Sequence, residues 1–284
     1  MKVAFLGLGV MGAPMAGHLA RAGHAVTAFN RTPEKSARWA STHHGAAAST
    51  PAQAVAGAEA VFLCLGDDPD VEAIASAILP AMAKGSILVD HTTASPALAR
   101  RLAESAAAAG VGFVDAPVSG GQAGAEAGKL SVMCGGEAGD VDKVRDAMAA
   151  YAARIVHVGP SGHGQLCKAV NQIAIAGLLQ GLSEAVHFAQ SSGLDVDRTL
   201  EAISGGAARS WQMENRFRTM ADDKFDFGFA VDWMRKDLRI ALAEARENGA
   251  RIPVAALVDQ FYAEVQAMGG GRWDTSSLVR RLRR

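Results

Sequence analysis

A short apolar run, Lys2 to Leu6, breaks into Gly7-Leu8-Gly9-Val10-Met11-Gly12. It passes directly into Ala13, Met15, Ala16, Leu19 and Ala20 at helical spacing, closed by Ala22-Gly23. A strand, a G-x-G-x-x-G loop and a helix in immediate succession leave few alternatives for the chain that carries them. Gly7 makes the tight turn. Gly9 has no side chain, so a pyrophosphate can approach the backbone. Gly12 lets the helix pack close to the strand. The helix start then presents free N–H groups to the anion, and Pro14 falls in the first turn, where a missing N–H costs little. In a chain with 31 glycines the spacing alone is weak evidence. The flanking strand and helix, and a second strand from Ala25 to Phe29, turn it into a dinucleotide site.

The end of that second strand bears on which dinucleotide. NAD sites commonly place Asp or Glu there for the ribose 2′-hydroxyl. This chain has Asn30-Arg31-Thr32. With no carboxylate in that stretch, Arg31 can stack on adenine and pair with a 2′-phosphate, and Thr32 adds a hydroxyl. NADP(H) is therefore expected in preference to NAD(H), which stays possible.

Apolar strand-like runs continue at Ala60–Leu65, Gly85–Asp90, Val111–Asp115, Leu130–Cys134 and Arg154–Val158, most of them separated by helical stretches such as Ser95–Ala109 and Gly139–Tyr151. This alternation implies a mostly parallel, doubly wound sheet of Rossmann type. Ligands bind at the carboxyl ends of its strands, which makes Leu65, Gly66, Thr92 and Thr93 candidate cofactor contacts. The alanine runs 46–48 and 106–109 read as helix material. After Gly159-Pro160 the strand signals stop. A proline-free helical stretch runs from Gly164 to about Ser191 and ends at Gly193. Further helices follow at about Asp197–Ile203, Trp211–Met220, Val231–Asn248 and Pro253–Ala267. The expected organisation is a dinucleotide domain (1–161), an interdomain helix (162–193) and an all-α C-terminal domain (194–284).

Composition removes several other classes. Lys+Arg is 28 and Asp+Glu is 29, a net charge of -1 that gives no reason to expect nucleic acid. The basic run Arg280, Arg281, Arg283, Arg284 reads as a solvated chain end. Three well-separated cysteines without a CxxC pair point to reduced thiols and a cytoplasmic setting. The apolar runs are too short for a membrane span, and no His/Cys spacing suits a metal.

Four motifs in order resemble the β-hydroxyacid dehydrogenase family, which includes 3-hydroxyisobutyrate dehydrogenases, tartronate semialdehyde reductases and glyoxylate/succinic semialdehyde reductases. They are the opening glycine loop; Asp115-Ala116-Pro117-Val118-Ser119-Gly120-Gly121; Gly162-His163-Gly164-Gln165-Leu166-Cys167-Lys168-Ala169-Val170-Asn171-Gln172; and Lys236-Asp237-Leu238. The second is similar to the family's substrate-binding signature, and a hydroxyl with backbone N–H groups in a glycine-permitted loop can hold a carboxylate. The third is similar to its catalytic segment. The resemblance makes Lys168 the general acid that protonates the developing alkoxide, and the base in reverse. Asn171 and Gln172 lie three and four residues further on, hence on the same helix face. Many members carry two Asn here, so which amide meets the substrate stays open. Lys236 resembles the family lysine that closes over the cofactor; otherwise it is half of a charge pair on a solvated helix. Trp211, Met213 and Phe229 could line a substrate pocket or belong to the core.

The implied activity is hydride transfer between NADP(H) and a small 3-hydroxy acid or its semialdehyde, by a homodimer or homotetramer. The alternatives are an NAD-dependent 3-hydroxyisobutyrate or serine-type dehydrogenase, and a non-catalytic dinucleotide-binding sensor or scaffold. Lys168 argues against the last.

Overall fold

Phe5, Leu6, Val61, Phe62, Leu63, Leu88 and Val89 carry no exposed surface, so the central strands are covered on both faces. That is the condition a parallel sheet demands. The computed structural model describes residues 1–283, and the chain divides into two units, Met1–Lys168 and the residues from Ala169 onward. The first unit runs β1 (Lys2–Leu6), α1 (Gly12–Arg21), β2 (Ala25–Phe29), α2 (Pro33–His43), β3 (Ala46–Ala47), α3 (Pro51–Val55), β4 (Ala60–Leu63), α4 (Asp68–Ile78), β5 (Ile87–Asp90) and α5 (Pro96–Ala108). It continues with β6 (Gly112–Asp115), β7 (Val118–Ser119), α6 (Gly121–Glu126), β8 (Leu130–Gly136), α7 (Ala138–Met148), β9 (Ala152–Gly159) and the start of α8 (His163–Ser191).

The strand order is β3-β2-β1-β4-β5-β6-β8-β7, with β9 also paired to β8. All pairs are parallel except β6 with β8 and β7 with β8. The order reverses at β1, which lies between β2 and β4. The loop after β1 therefore sits at the switch point where doubly wound sheets take their ligands. Alternate residues of β1 feed opposite layers. Val3 and Phe5 pack with α1 and α7 residues such as Met15, Leu19 and Val144, whereas Ala4 and Leu6 pack with α4 and α5 residues such as Val71, Ile78 and Leu102.

Two strands go beyond the sequence reading. Ala46 and Ala47 form an edge strand paired with Thr27 and Ala28, not helix. The cause is tertiary: α2 ends at His44 in the left-handed region, and the next residues are drawn onto the open edge of β2. Val118–Ser119 is the second, too short to show a periodicity.

In the second unit the rest of α8 is followed by α9 (Val196–Ser204), α10 (Trp211–Ala221), α11 (Val231–Asn248), α12 (Pro253–Ala267) and a 3₁₀ segment, Thr275–Leu282. Ala176, Leu179, Leu182 and Val186 of α8 enter the two cores of this unit. Among the described residues no helix is long and apolar enough to cross a membrane.

The basic tail is not a solvated end. Leu278 and Val279 are fully buried and anchor it. The Arg280 guanidinium lies 4.4 Å over the Trp273 ring. Arg281 lies 3.7 Å over Phe261 and pairs with Glu264 at 3.1 Å. Arg283 donates to Asp223 and to the carbonyls of Met220 and Ala221. Arg284 lies outside the described residues. A run of like charges docks here because each guanidinium finds its own aromatic face or acceptor.

His91, just after β5, is buried between layers of the first unit. Its ring stacks on Phe62; Nδ1 is 2.6 Å from the Ala116 carbonyl and Nε2 2.8 Å from the Tyr151 hydroxyl. A carbonyl can only accept, so Nδ1 carries the proton and Tyr151 donates to Nε2. Burial pushes the imidazole down to about 4 from 6.5. The unfolded chain protonates near 6.5, so the stability from neutral His91 is complete above that pH and is lost as pH falls toward 4. Replacing it with Gln removes this linkage. The gap in unfolding free energy between parent and His91→Gln should narrow by about 2–3 kcal/mol between pH 7 and pH 4.5. Urea titrations at the two pH values would measure it, and a constant gap would contradict the assignment.

Candidate active site

The glycine loop is shaped by close contacts that only glycine survives. Gly7 has φ +101°, and a Cβ there would overlap the Cys64 carbonyl at the end of β4; a Cβ on Gly12 would overlap the Gly7 carbonyl. Gly9 faces open space, with nothing within 4 Å of where its Cβ would stand. Met11, the residue before α1, makes no side-chain cap, so the helix start keeps its N–H groups for an anion. The Val10 side chain is exposed. These features fit a dinucleotide pyrophosphate. The Leu8 N–H is held by Asn30 Oδ1 at 3.0 Å, and Asn30 Nδ2 donates to the Thr32 carbonyl. Asn30 therefore braces the loop. The Thr32 hydroxyl makes no cap bond to α2.

Arg31 is 90% exposed and pairs with Asp70 Oδ1 at 3.3 Å. Asn30-Arg31-Thr32 contains no acid, and the fold supplies one from the first turn of α4. An exposed pair of this kind is worth about 0–1 kcal/mol.

The carboxyl ends of β4, β5 and β6 are tied together by side chains. The Leu65 N–H donates to the Thr92 hydroxyl at 2.9 Å, and the Thr92 N–H to Asp90. Gln165 reaches across from α8: its Nε2 donates to the Thr92 carbonyl at 2.8 Å and its Oε1 accepts from the Ala94 N–H at 3.1 Å. Thr92 is buried in this bracing, whereas Thr93 and Gly66 are half-buried beside it.

Asp115 ends β6 and opens the second motif. Its carboxylate accepts from the Gly162 N–H at 2.8 Å and the Gln165 N–H at 2.9 Å. It thus caps the start of α8, joining two motifs that lie about fifty residues apart in sequence. A Cβ on Gly164 would overlap the Asp115 and Met133 carbonyls, so the helix can come this close only with glycine there. Burial pushes the Asp115 carboxyl up to about 6 against the pull of the backbone donors. At neutral pH it is ionised and complements the positive end of the helix. Sequence reasoning saw Asp115 as part of a substrate signature and missed its role as a cap. A cap carried on a distant strand leaves no local signal.

One turn beyond the cap, Lys168 is only 7% exposed. An isolated helical lysine belongs on the surface, so this burial is the unusual fact about it. Ser119 lies in β7, paired opposite Ser131, and is half-buried. Gly120 and Gly121 follow with φ +128° and +61°, a bend closed to other residues.

In the helical unit, Gln172 and Asp237 are buried and Asn171 is half-buried. Asn171 Nδ2 donates to Gln172 Oε1 at 2.8 Å, and Gln172 Nε2 donates to Asp237 Oδ2 at 2.7 Å. Lys236 pairs with Asp237 at 3.3 Å with its side chain 10% exposed, which removes the solvated-face reading. Met213 is core, Phe229 is half-buried in the neighbouring core, and Trp211 is exposed with Arg216 stacked on it.

Known proteins show the same arrangement of segments. A family model described as the NAD binding domain of 6-phosphogluconate dehydrogenase matches residues 2–159. A second, described as the NAD-binding region of NADP-dependent 3-hydroxyisobutyrate dehydrogenase, matches residues 162–282. An oxidoreductase of Shewanella frigidimarina is 56% identical over 284 residues, 99% of this chain and 98% of that one. The 2-hydroxy-3-oxopropionate reductase of Escherichia coli is 34% identical, covering 99% of this chain and 97% of its own. The solved structure of a Mycobacterium tuberculosis 3-hydroxyisobutyrate dehydrogenase with L-serine has a TM-score of 0.92 to this chain at 31% identity, covering 100% of this chain and 99% of that one.

Replacing Asp115 with Asn leaves one acceptor for two N–H donors and turns an amide N–H toward the other. The variant should lose about 1–3 kcal/mol of stability, the cost of one buried unsatisfied donor. Chemical denaturation at pH 7 would read it. Unchanged stability would mean that the cap is not needed.

Proposed function

The chain belongs to the β-hydroxyacid dehydrogenase family of NAD(P)-dependent oxidoreductases, and on that premise we propose that it interconverts a small 3-hydroxy acid and its semialdehyde with NADP(H) in preference to NAD(H). The bound nicotinamide supplies or takes the hydride. Lys168 gives its proton to the substrate oxygen in reduction and takes it back in oxidation. The observation that carries this reading is the burial of Lys168 one turn from a helix start fixed by Asp115. Ser119 with the Gly120-Gly121 bend holds the substrate carboxylate, and Asn171 or Gln172 orients its hydroxyl. Gly7 to Gly12, Leu65, Gly66 and Thr93 of the first unit cradle the dinucleotide, and Lys236 takes the role of the family's cofactor lysine. A cytoplasmic setting and a homodimer or homotetramer belong to the same reading. Val170, Leu178 and Phe188 stand exposed along α8 and offer an apolar face for self-association.

Lys168→Ala should lower kcat by roughly 10²–10⁴ with little change in dinucleotide affinity. Lys168→Arg should not restore it, because guanidinium does not release its proton near these pH values. Oxidation needs the neutral amine, so its rate in the parent should climb into the alkaline range, while reduction stays flat or falls. Steady-state kinetics in both directions, with NADPH and NADH against several semialdehydes, tests this. More than about a tenth of parent activity in Lys168→Ala would overturn the assignment.

Cofactor preference rests on a balance. A charge-assisted phosphate contact is worth about 1.5–3 kcal/mol, more than the exposed Arg31–Asp70 pair it displaces. Arg31→Ala should therefore erase a roughly tenfold NADPH preference and leave NADH kinetics nearly unchanged. Asp70→Asn should strengthen the preference. Equal KM values for the two cofactors in the parent would refute the reading.

A further inference from the structure

Four polar side chains of the helical unit run in an unbroken line from α8 to α11. Asn171 donates to Gln172, Gln172 donates to Asp237 Oδ2, and the Lys236 ammonium stands 3.3 Å from Asp237 Oδ1. Gln172 and Asp237 are each 2% exposed. The Lys236 ammonium also lies 5.8 Å over the Trp233 ring.

A buried carboxylate is tolerated only when its oxygens meet donors or charge. Here one oxygen faces an amide and the other an ammonium. Lys236 and Asp237 are sequence neighbours on a helix, and such neighbours do not naturally face each other. Their pairing requires the carboxylate to be held in one orientation, and the Gln172 amide is a donor that holds it from outside α11. Side-chain length is decisive. An Asn in this place is one methylene shorter, roughly 1.5 Å. It would leave the 2.7 Å separation at about 4 Å, beyond a hydrogen bond. Both ends of the Gln172 amide are engaged, whereas Asn171 uses one N–H in the chain.

We propose that Gln172 is a positioning residue: through Asp237 it fixes the Lys236 ammonium for the dinucleotide and leaves Asn171 as the amide that meets the substrate. This rests on the reading of Lys236 as a cofactor residue, and the test separates the two.

NADPH affinity would be measured by fluorescence titration without substrate, for the parent, Lys236→Gln, Gln172→Met, Gln172→Asn and the double variant Lys236→Gln/Gln172→Met. Substrate KM and thermal melts would be recorded alongside. Lys236→Gln should raise the NADPH Kd about tenfold, because the variant cannot make a charge-assisted hydrogen bond to the dinucleotide. Either Gln172 variant should raise it about threefold to tenfold with substrate KM nearly unchanged, and Gln172→Met should add less than about twofold in the double variant, since coupled groups are not additive. Should Gln172→Met unfold, Gln172→Asn carries the test, because it keeps an amide and shortens only its reach. An unchanged Kd with a raised substrate KM in the Gln172 variants would make Gln172 a substrate contact and end the proposal. Additive effects in the double variant would end it too, since Gln172 would then act without Lys236. An unchanged Kd in Lys236→Gln would overturn the underlying reading of Lys236, and the proposal with it.

Discussion

The carboxylate of Asp115 against the first N–H groups of α8 is the contact on which the site depends. A helix of 29 residues begins with N–H groups that its own backbone cannot satisfy. Burying that start among strand ends is possible only where something accepts from it. Asp115 does so at two positions, and the absence of a side chain at Gly164 lets the backbones close to that distance. Gln165 then fastens the same turn to the loop after β5, which in turn holds the Leu65 N–H. The carboxyl ends of β4, β5 and β6 and the root of α8 thereby form one hydrogen-bonded body. Lys168 lies three residues beyond Gln165 on the same helix, so its backbone belongs to that body.

Polar groups of the helical unit obey the same rule at higher cost. Asp274 is almost fully buried and accepts from Arg216, from the Phe229 N–H and from Ser276. Arg216 lies between the faces of Trp211 and Phe227. This cluster fixes the chain just ahead of α11, the helix that carries Lys236 and Asp237. The aromatic residues in the sequence near Trp211 thus serve as platforms for a guanidinium and as core.

The docked tail shows how a charge run changes meaning once a surface is present. Arg280, Arg281 and Arg283 look alike in sequence, yet each meets a different partner because Leu278 and Val279 anchor the segment in the core. A similar shift occurs at Arg31. Its immediate neighbours suggest an unopposed cation, and α4 brings Asp70 to it from thirty-nine residues away. Electrostatics belongs to the folded surface, because Coulomb interactions depend on distance in space and not along the chain.

By itself the sequence determined the alternation of strands and helices, the glycine loop and its helix, the limits of α11 and α12, and the four motifs that mark the family. These are local or periodic features: glycine geometry, apolar spacing and proline placement act within a few residues. Only the tertiary structure decided that Ala46–Ala47 is an edge strand, that Asp115 caps α8, that Asn30 braces the glycine loop, and that Gln172 meets Asp237. Each of these is a bond between groups far apart in the chain, where the partner's identity gives no local signal. Burial decided the rest. Helical periodicity alone makes Lys168 and Lys236 ordinary surface lysines and only the motifs single them out; the fold adds that Lys168 is buried and that Lys236 is enclosed against Asp237.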